Sequence, residues 1–314
     1  MSLPQNEPVL AAKHYLPLLG EELKRRGNKP ELELKTLPDI SEKLWGIGTR
    51  ELMVIGARTS QGKTTFSLQV CMDLASQGIP CVYLSLEMTK LSILERLFCN
   101  YCNIHNDGLK RGGFMNYQNE WKVFCDQINK IPLIITEGIG KSWSQIDALI
   151  ERMNPKPKVI ILDYIQCVSG SGFEKREVID EYIRHFRQMA IEYNFAAIIC
   201  SQINRAGASE DGSLPDLHNL KGTGYLEELA DKILLLHYPY FYNHECDPNE
   251  YILRLAKNRN GRTGMSKLRF IPEYFKFEDE GKVVSSAVVD EALEVFGGRA
   301  FEQTDVRELP QMRV

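Results

Sequence analysis

Between residues 51 and 200 the chain alternates short unbroken apolar runs with longer stretches whose apolar positions recur every three or four residues. The runs at 52–56, 81–86, 132–136, 158–163 and 195–200 predict strands, and the stretches at 63–77, 90–103, 142–153 and 176–193 predict helices. Strand and helix in strict alternation predict an α/β fold, with a mainly parallel central sheet flanked by helices on both faces. After residue 230 the pattern changes to short strands separated by turns: Lys232–His237, Tyr251–Lys257 and Met265–Phe270, with Asn260-Gly261 as a hairpin signal. These predict antiparallel strands added at one edge of the sheet. No internal repeat or low-complexity segment interrupts the pattern.

Upstream of the sheet, residues 1–40 read as an arm. Leu16, Leu19 and Leu23 stripe one helical pattern over 11–26, which stops at Gly27-Asn28-Lys29-Pro30. One amphipathic helix cannot make a core, so its stripe must pack on the main body or on a neighbouring subunit. The expected organisation is an arm (1–40), a main domain (41–280) and an acidic tail (281–314).

The composition fits this picture. With 314 residues and 43% hydrophobic content the chain can bury one large core. No apolar run is long enough to cross a bilayer and no signal-peptide pattern opens the chain, so a cytoplasmic protein is expected. Eight scattered cysteines suit a reducing compartment. Cys99 and Cys102, with His105 nearby, lie in an apolar helical pattern and read as buried thiols rather than a metal or redox site. The net charge of −4 hides an asymmetry. Residues 251–270 carry six bases (Arg254, Lys257, Arg259, Arg262, Lys267, Arg269) and no acid, whereas 271–314 carry ten acids against five bases. One locally positive surface is expected.

The chemistry is concentrated at the ends of the apolar runs. Ala57-Arg58-Thr59-Ser60-Gln61-Gly62-Lys63-Thr64 follows a strand and opens a helix, the context of a phosphate-binding loop, with Thr65 next in line. Its backbone N–H groups can cradle ATP phosphates, Lys63 can reach the transferred phosphate, and Thr64 can hold Mg²⁺. The usual first glycine of such a loop is here Ala57, with Gly56 one place earlier. Val159-Ile160-Ile161-Leu162-Asp163 ends a buried strand in a single carboxylate, as the Mg²⁺-side acid of such ATPases does. Glu87 follows another strand and can polarise the attacking water, or serve as an N-cap. Gln202 ends a third strand and can sense the γ-phosphate. Two loops of mobile composition emerge at the same edge, one at 205–215 and one at Ser169-Gly170-Ser171-Gly172, the latter leading to Lys175 and Arg176. Lys257-Asn258-Arg259-Asn260-Gly261 ends a strand in the basic stretch, and Arg259 can act on a γ-phosphate in cis, in trans, or not at all.

Taken together, these segments resemble the RecA-like motor domain of DnaB-type replicative helicases, a P-loop NTPase fold, over most of residues 40–280. Gly56–Thr64 resembles that family's phosphate loop, Ser85-Leu86-Glu87-Met88 its catalytic-glutamate motif, and Leu162-Asp163-Tyr164-Ile165-Gln166 its metal-side strand. Ser201-Gln202-Ile203-Asn204-Arg205 is similar to its sensor, and Ala256–Gly264 to its arginine-finger hairpin. The resemblance implies a homohexameric ring that binds ATP and Mg²⁺ between subunits. Lys257 and Arg259 would act on the neighbour's nucleotide, and single-stranded DNA would be threaded 5′→3′ through the pore. It implies DNA contacts at Lys175, Arg176, Arg205, Lys221 and Gly224, although the 216–224 segment is longer than the family's and lacks its Arg-Glu pair. Helix 11–26 resembles the family's linker helix, which docks on the adjacent subunit; the family's N-terminal collar domain is missing from this sequence. A helicase loader and a primase are implied partners, and a bacterial, phage or mobile-element replicon the setting. The alternative is a RecA-fold ATPase that recombines or remodels DNA, or signals, without unwinding. An adaptor without activity is expected to lose Lys63, Glu87 or Asp163, and all three are present.

Overall fold

The computed structural model describes residues 11–26, 30–138, 141–168, 175–203, 213–220 and 224–285. The strands among them are β1 (Leu52–Ala57), β2 (Cys81–Ser85), β3 (Leu133–Glu137), β4 (Val159–Asp163), β5 (Ala196–Gln202), β6 (Lys232–His237), β7 (Glu250–Asn258), β8 (Gly264–Ile271) and β9 (Lys276–Ser285). The helices are α1 (Leu16–Arg26), α2 (Pro38–Leu44), α3 (Lys63–Ser76), α4 (Lys90–Cys102), α5 (Asn106–Lys110), α6 (Gln118–Ile128), α7 (Trp143–Arg152), α8 (Lys175–Glu192) and α9 (Gly224–Leu229).

All nine strands join one sheet in the order β3-β2-β4-β5-β1-β6-β7-β8-β9. From β3 to β6 every pairing is parallel, and from β6 to β9 every pairing is antiparallel. This is the architecture that the hydrophobic pattern predicts. Alternate side chains of each central strand feed two cores. Met53, Ile55, Ile161 and Ile198 face one core, with α3, α4 and α6. Leu52, Val54, Ile160 and Ile199 face the other, with α7, α8 and α9. Burial on both faces explains why these runs show no polar alternation.

Besides the unpredicted helices α2, α5, α6 and α9, the structure departs from the pattern in two places. Residues 30–44 belong to the body rather than to an arm: Leu32, Leu34, Leu37, Ile40 and Leu44 are buried in the first core, and Leu32 bridges Ile47. The stripe of α1 remains exposed, with Leu16, Leu19 and Leu23 each at least half accessible. The second departure is β9, which runs to Ser285, past residue 280, in a stretch whose acids masked a strand. It carries Phe277, buried to 1% exposure, and its Asp279 carboxylate accepts from the Asp39 amide of α2 at 2.7 Å. Burial pushes that carboxyl up to about 6. No helix among the described residues is long and apolar enough to cross a membrane.

Candidate nucleotide site

β1 ends at Ala57 and α3 begins at Lys63, so residues 58–62 must turn from strand to helix within five positions. Ser60 and Gly62 do so with positive φ values of 63° and 77°. A Cβ on Gly62 would also stand 3.1 Å from the Phe277 ring, so glycine is required twice over. Gly62 is the N-cap of α3 and supplies no side-chain acceptor, which leaves the first-turn N–H groups to an anion. Gly56 has a packing reason: a Cβ there would fall 2.8 Å from the methyls of both Leu220 and Leu235.

The loop lines a cleft of about 980 Å³, a volume suited to a nucleotide. Arg58, Thr59, Ser60, Gly62, Thr64 and Thr65 line it, and so does Lys63. Ala57 and Gln61 do not: both are buried, and the Gln61 carbonyl accepts from the Tyr251 hydroxyl. The Lys63 ammonium rests over the Tyr164 ring, 3.9 Å from its centre. The Arg58 guanidinium donates to the Tyr242 hydroxyl at 3.0 Å.

Asp163 ends β4 at 2% exposure. Its Oδ2 accepts from the Thr64 hydroxyl at 2.7 Å and from the Tyr83 hydroxyl at 2.8 Å. Burial, then the charge of Asp163, push the Tyr83 hydroxyl well above its ordinary range, so it remains a donor. Oδ1 of Asp163 is buried and has no hydrogen-bond partner, which is costly unless a cation completes it. A buried carboxylate oxygen beside a hydroxyl is a hard-oxygen donor pair that fits Mg²⁺.

Glu87 lines the same cleft and is exposed. It does not cap α4: Thr89 is the N-cap and accepts from the Ser92 amide, and Glu137 accepts from the Lys90 amide at 2.7 Å. Glu87 is thus free of the capping duty that the sequence also allows. Gln202, at the end of β5, donates from Nε2 to the Thr59 hydroxyl of the phosphate loop. Its amide donates to Gln166 Oε1 at 3.0 Å, and Gln166 Nε2 donates to Ser201 Oγ at 2.8 Å. Strand ends β4 and β5 are thereby tied together beside the loop.

The far wall of the cleft is aromatic, formed by Tyr238, Tyr240, Phe241, His244, Phe270 and Phe275. Sequence reasoning missed this wall, along with Tyr164, Tyr242 and Gln166. The signal was the density of rings in His237-Tyr238-Pro239-Tyr240-Phe241-Tyr242-Asn243-His244, directly after a predicted strand. His237 stacks on Tyr242 at 5.4 Å. Burial, then the charge of Arg58, lower its imidazole to about 4.

Lys257 and Arg259 lie elsewhere. β7 runs antiparallel to β6 and brings Asn258 opposite Lys232, the first residue of β6. The pair therefore sits at the edge where the parallel strands begin, and the phosphate loop sits where they end. The six residues of β1 separate the two edges by roughly 20 Å. The Lys257 ammonium donates to the Glu227 carbonyl at 2.5 Å and to the Glu228 carbonyl at 3.3 Å. Arg259 bonds Asp231 Oδ1 at 3.1 Å and the Glu228 carbonyl at 2.6 Å. The basic stretch is less positive than its composition: Arg254 pairs with Asp216 at 3.5 Å and Lys267 with Glu250 at 2.6 Å. Cys99 is buried and Cys102 half-buried; both thiols are pushed up to about 11, chiefly by burial. No metal-ligating cluster occurs among the described residues.

Residues 34–279 match the family model described as "DnaB-like helicase C terminal domain". The chain belongs to this family. Among its DnaB-like relatives, the "Replicative DNA helicase DnaC" of Bacillus subtilis (strain 168) is 27% identical over 242 residues, covering 74% of this chain and 53% of the relative. The "Probable plasmid replicative DNA helicase" of Chlamydia psittaci is 29% identical over 233 residues, covering 69% of this chain and 49% of the relative. The chain spans about half the length of these curated relatives. A structure described as "The Structure Of A DnaB-Like Replicative Helicase And Its Interactions With Primase" superposes with a TM-score of 0.77 at 24% identity, covering 85% of this chain and 68% of that one. A second solved structure, of an isolated ATPase domain, gives the same score and identity, covering 86% of this chain and 98% of that one. The fold is the RecA-like one that these DnaB-like ATPase domains share.

The DNA contacts implied by the DnaB-like resemblance are only partly described. Arg176 is exposed in the first turn of α8, and Gly224 is exposed at the start of α9. Lys175 opens α8, but its side chain lies outside the described residues, as do Arg205 and Lys221 entirely.

Proposed function

We propose that the chain is the motor of an ATP-driven DNA helicase, working as a homohexameric ring that moves 5′→3′ along single-stranded DNA and parts the duplex during replication. In this reading Lys63 and the loop N–H groups hold the β- and γ-phosphates. Thr64 and Asp163 hold Mg²⁺, which neutralises phosphate charge when bound. Glu87 orients the attacking water and accepts its proton. Gln202, bonded to Thr59, passes the state of the loop to the segment that follows β5. Lys257 and Arg259 complete the neighbour's site by stabilising the charge of the transition state. Lys175, Arg176, Arg205, Lys221 and Gly224 are proposed to grip the strand, with a primase and a helicase loader as partners in a bacterial or mobile-element cytoplasm.

The observation that carries this reading is the separation of the two half-sites. The phosphate loop, Asp163, Glu87 and Gln202 gather at one edge of the sheet, and Lys257 and Arg259, the cations proposed to meet a phosphate, stand at the other. Neither half can complete the other within one subunit. The deciding measurement is strand displacement from a fork with a free 5′ tail. ATP-dependent displacement, lost in Lys63→Ala, is expected; DNA-stimulated hydrolysis without displacement would favour a remodelling ATPase instead. Arg259→Ala is expected to lose turnover as well, and an equal mixture with Lys63→Ala to regain part of it.

A further inference from the structure

Asp231 lies between α9 and β6 and is 6% exposed, yet it is occupied on every side. Its backbone N–H donates to the Leu52 carbonyl at 2.8 Å and its carbonyl accepts from the Arg259 amide at 2.9 Å. Side-chain Oδ2 accepts from the Leu52 amide at 2.8 Å and pairs with Arg187 of α8 at 2.7 Å. Oδ1 pairs with Arg259 at 3.1 Å. One carboxylate therefore ties the start of β1, the C-terminal half of α8 and the start of the β7–β8 turn into one joint.

The same hairpin has a second tether. Asn260 donates to Glu51 Oε1 at 2.6 Å, and the other oxygen of Glu51 pairs with the buried Lys232 ammonium at 2.6 Å. The Arg259 side chain nevertheless keeps 46% exposure. A guanidinium carries five donors in a rigid plane, and two are spent on Asp231 and the Glu228 carbonyl. The group is gripped along one side and open along the other.

Resting on the trans-acting role proposed above for Arg259, we infer that Asp231 is a positioning residue: it fixes the direction in which Arg259 leaves its own subunit, and Asn260 with Glu51 steadies the hairpin behind it. Only the Asp231 end of the pair is buried, and there Arg187 and the Leu52 amide hold the carboxylate in place, so the anchor is fixed while the guanidinium stays half in water. The other end of the grip is α9. Its last carbonyls, orphaned as in any helix end, are taken by Lys257 and Arg259. A pull on the pair by a neighbour's phosphate would therefore be felt at the end of α9.

The test uses mixed rings of the full chain. Asp231→Asn keeps the shape and one acceptor but removes the charge; its turnover is expected to fall roughly tenfold or more, a fraction of what an arginine finger contributes. Because Asp231 acts on the finger and not on the phosphate loop, Asp231→Asn subunits mixed with Lys63→Ala subunits are expected to regain turnover. Mixed with Arg259→Ala subunits they are expected to regain none. Binding of a fluorescent ATP analogue by Asp231→Asn should match the wild type. Wild-type turnover in Asp231→Asn overturns the inference. So does failure of Lys63→Ala to rescue it while the Arg259→Ala and Lys63→Ala mixture recovers, since Asp231 would then support its own site or merely the fold. Failure of that control mixture overturns the trans reading itself. If Asp231→Asn melts below assay temperature, the exposed Asn260→Ala takes its place. A smaller loss with the same rescue pattern supports the inference, and wild-type turnover overturns it.

Discussion

Asp163 does two things with its two carboxylate oxygens. One is spent on hydroxyls, those of Thr64 and Tyr83, and the other is buried without a partner. Asp163→Asn keeps a hydroxyl acceptor and removes the charge that a cation requires. Nucleotide affinity in the presence of a chelator should stay near that of the wild type, while the gain on adding Mg²⁺ should shrink at least tenfold, as read by titration with a fluorescent analogue. His237 gives a pH prediction. Its folded-state value of about 4 lies below the ordinary 6.5 of an unfolded histidine, so the unfolded chain binds the extra proton first. The contribution of the neutral imidazole is complete above pH 6.5 and is lost as pH falls toward 4, at a cost of roughly 3 kcal/mol when fully lost. A neutral replacement, His237→Gln, should flatten that part of the curve in urea denaturation between pH 7 and pH 4.5. Legibility in the sequence divides along the same line. Lys63, Thr64 and Asp163 could be read because a polar residue at the end of an apolar run has few other reasons to be there. Tyr83 and Tyr164 could not, because a tyrosine inside or beside such a run looks like core until its hydroxyl or ring face is seen against a charge.

Elements show how the phosphate loop is held from below. β9 was hidden in the sequence by Glu278, Asp279 and Glu280, and its place in the fold is fixed by side chains as well as by β8. Gln69 of α3 donates to the Phe277 carbonyl at 2.7 Å and accepts from the Phe277 amide at 2.8 Å. It closes the outer edge of a strand that would otherwise present unpaired groups. Asn100 of α4 donates to the Phe275 carbonyl at 2.6 Å. Phe277 then stacks on Phe270 at 4.6 Å, meets Phe66 edge-on at 5.5 Å and underlies Gly62. Gln69→Leu should strand a buried N–H and C=O together and cost about 2 kcal/mol in chemical denaturation, with a matching loss of loop order visible as faster amide exchange at 58–63. A glutamine within a helix reads as surface; only its 4% exposure reveals the bond. The parallel strands, by contrast, were legible to within a residue or two, because burial on both faces leaves an unbroken apolar signature.

At the scale of the whole molecule, one apolar helical stripe is left uncovered among the described residues. α1 exposes Leu16, Leu18, Leu19 and Leu23, and eleven residues of helix are too few to persist alone in water. In the proposed ring the stripe is covered by an adjacent subunit. Removal of residues 1–26 should shift the population toward monomers and small oligomers in light scattering, while binding of a fluorescent nucleotide at high protein concentration changes little. An unchanged oligomer would place the cohesion of the ring elsewhere. The sequence conveyed the apolar stripe but not its exposure, because exposure depends on every other surface of the fold.

The distance between the two edges of the sheet has a further consequence for assembly. A subunit that offers a phosphate loop on one side and a charged hairpin on the other has a front and a back. Two such subunits related by a twofold axis would face like to like and leave both sites unfinished. On the proposed trans role of Arg259, productive contact is head-to-tail, and a head-to-tail contact either closes into a ring or grows without limit. A chain lacking both Lys63 and Arg259 then damages two junctions, one as giver and one as receiver. A minority of inactive chains should therefore silence a disproportionate share of any assembly they join.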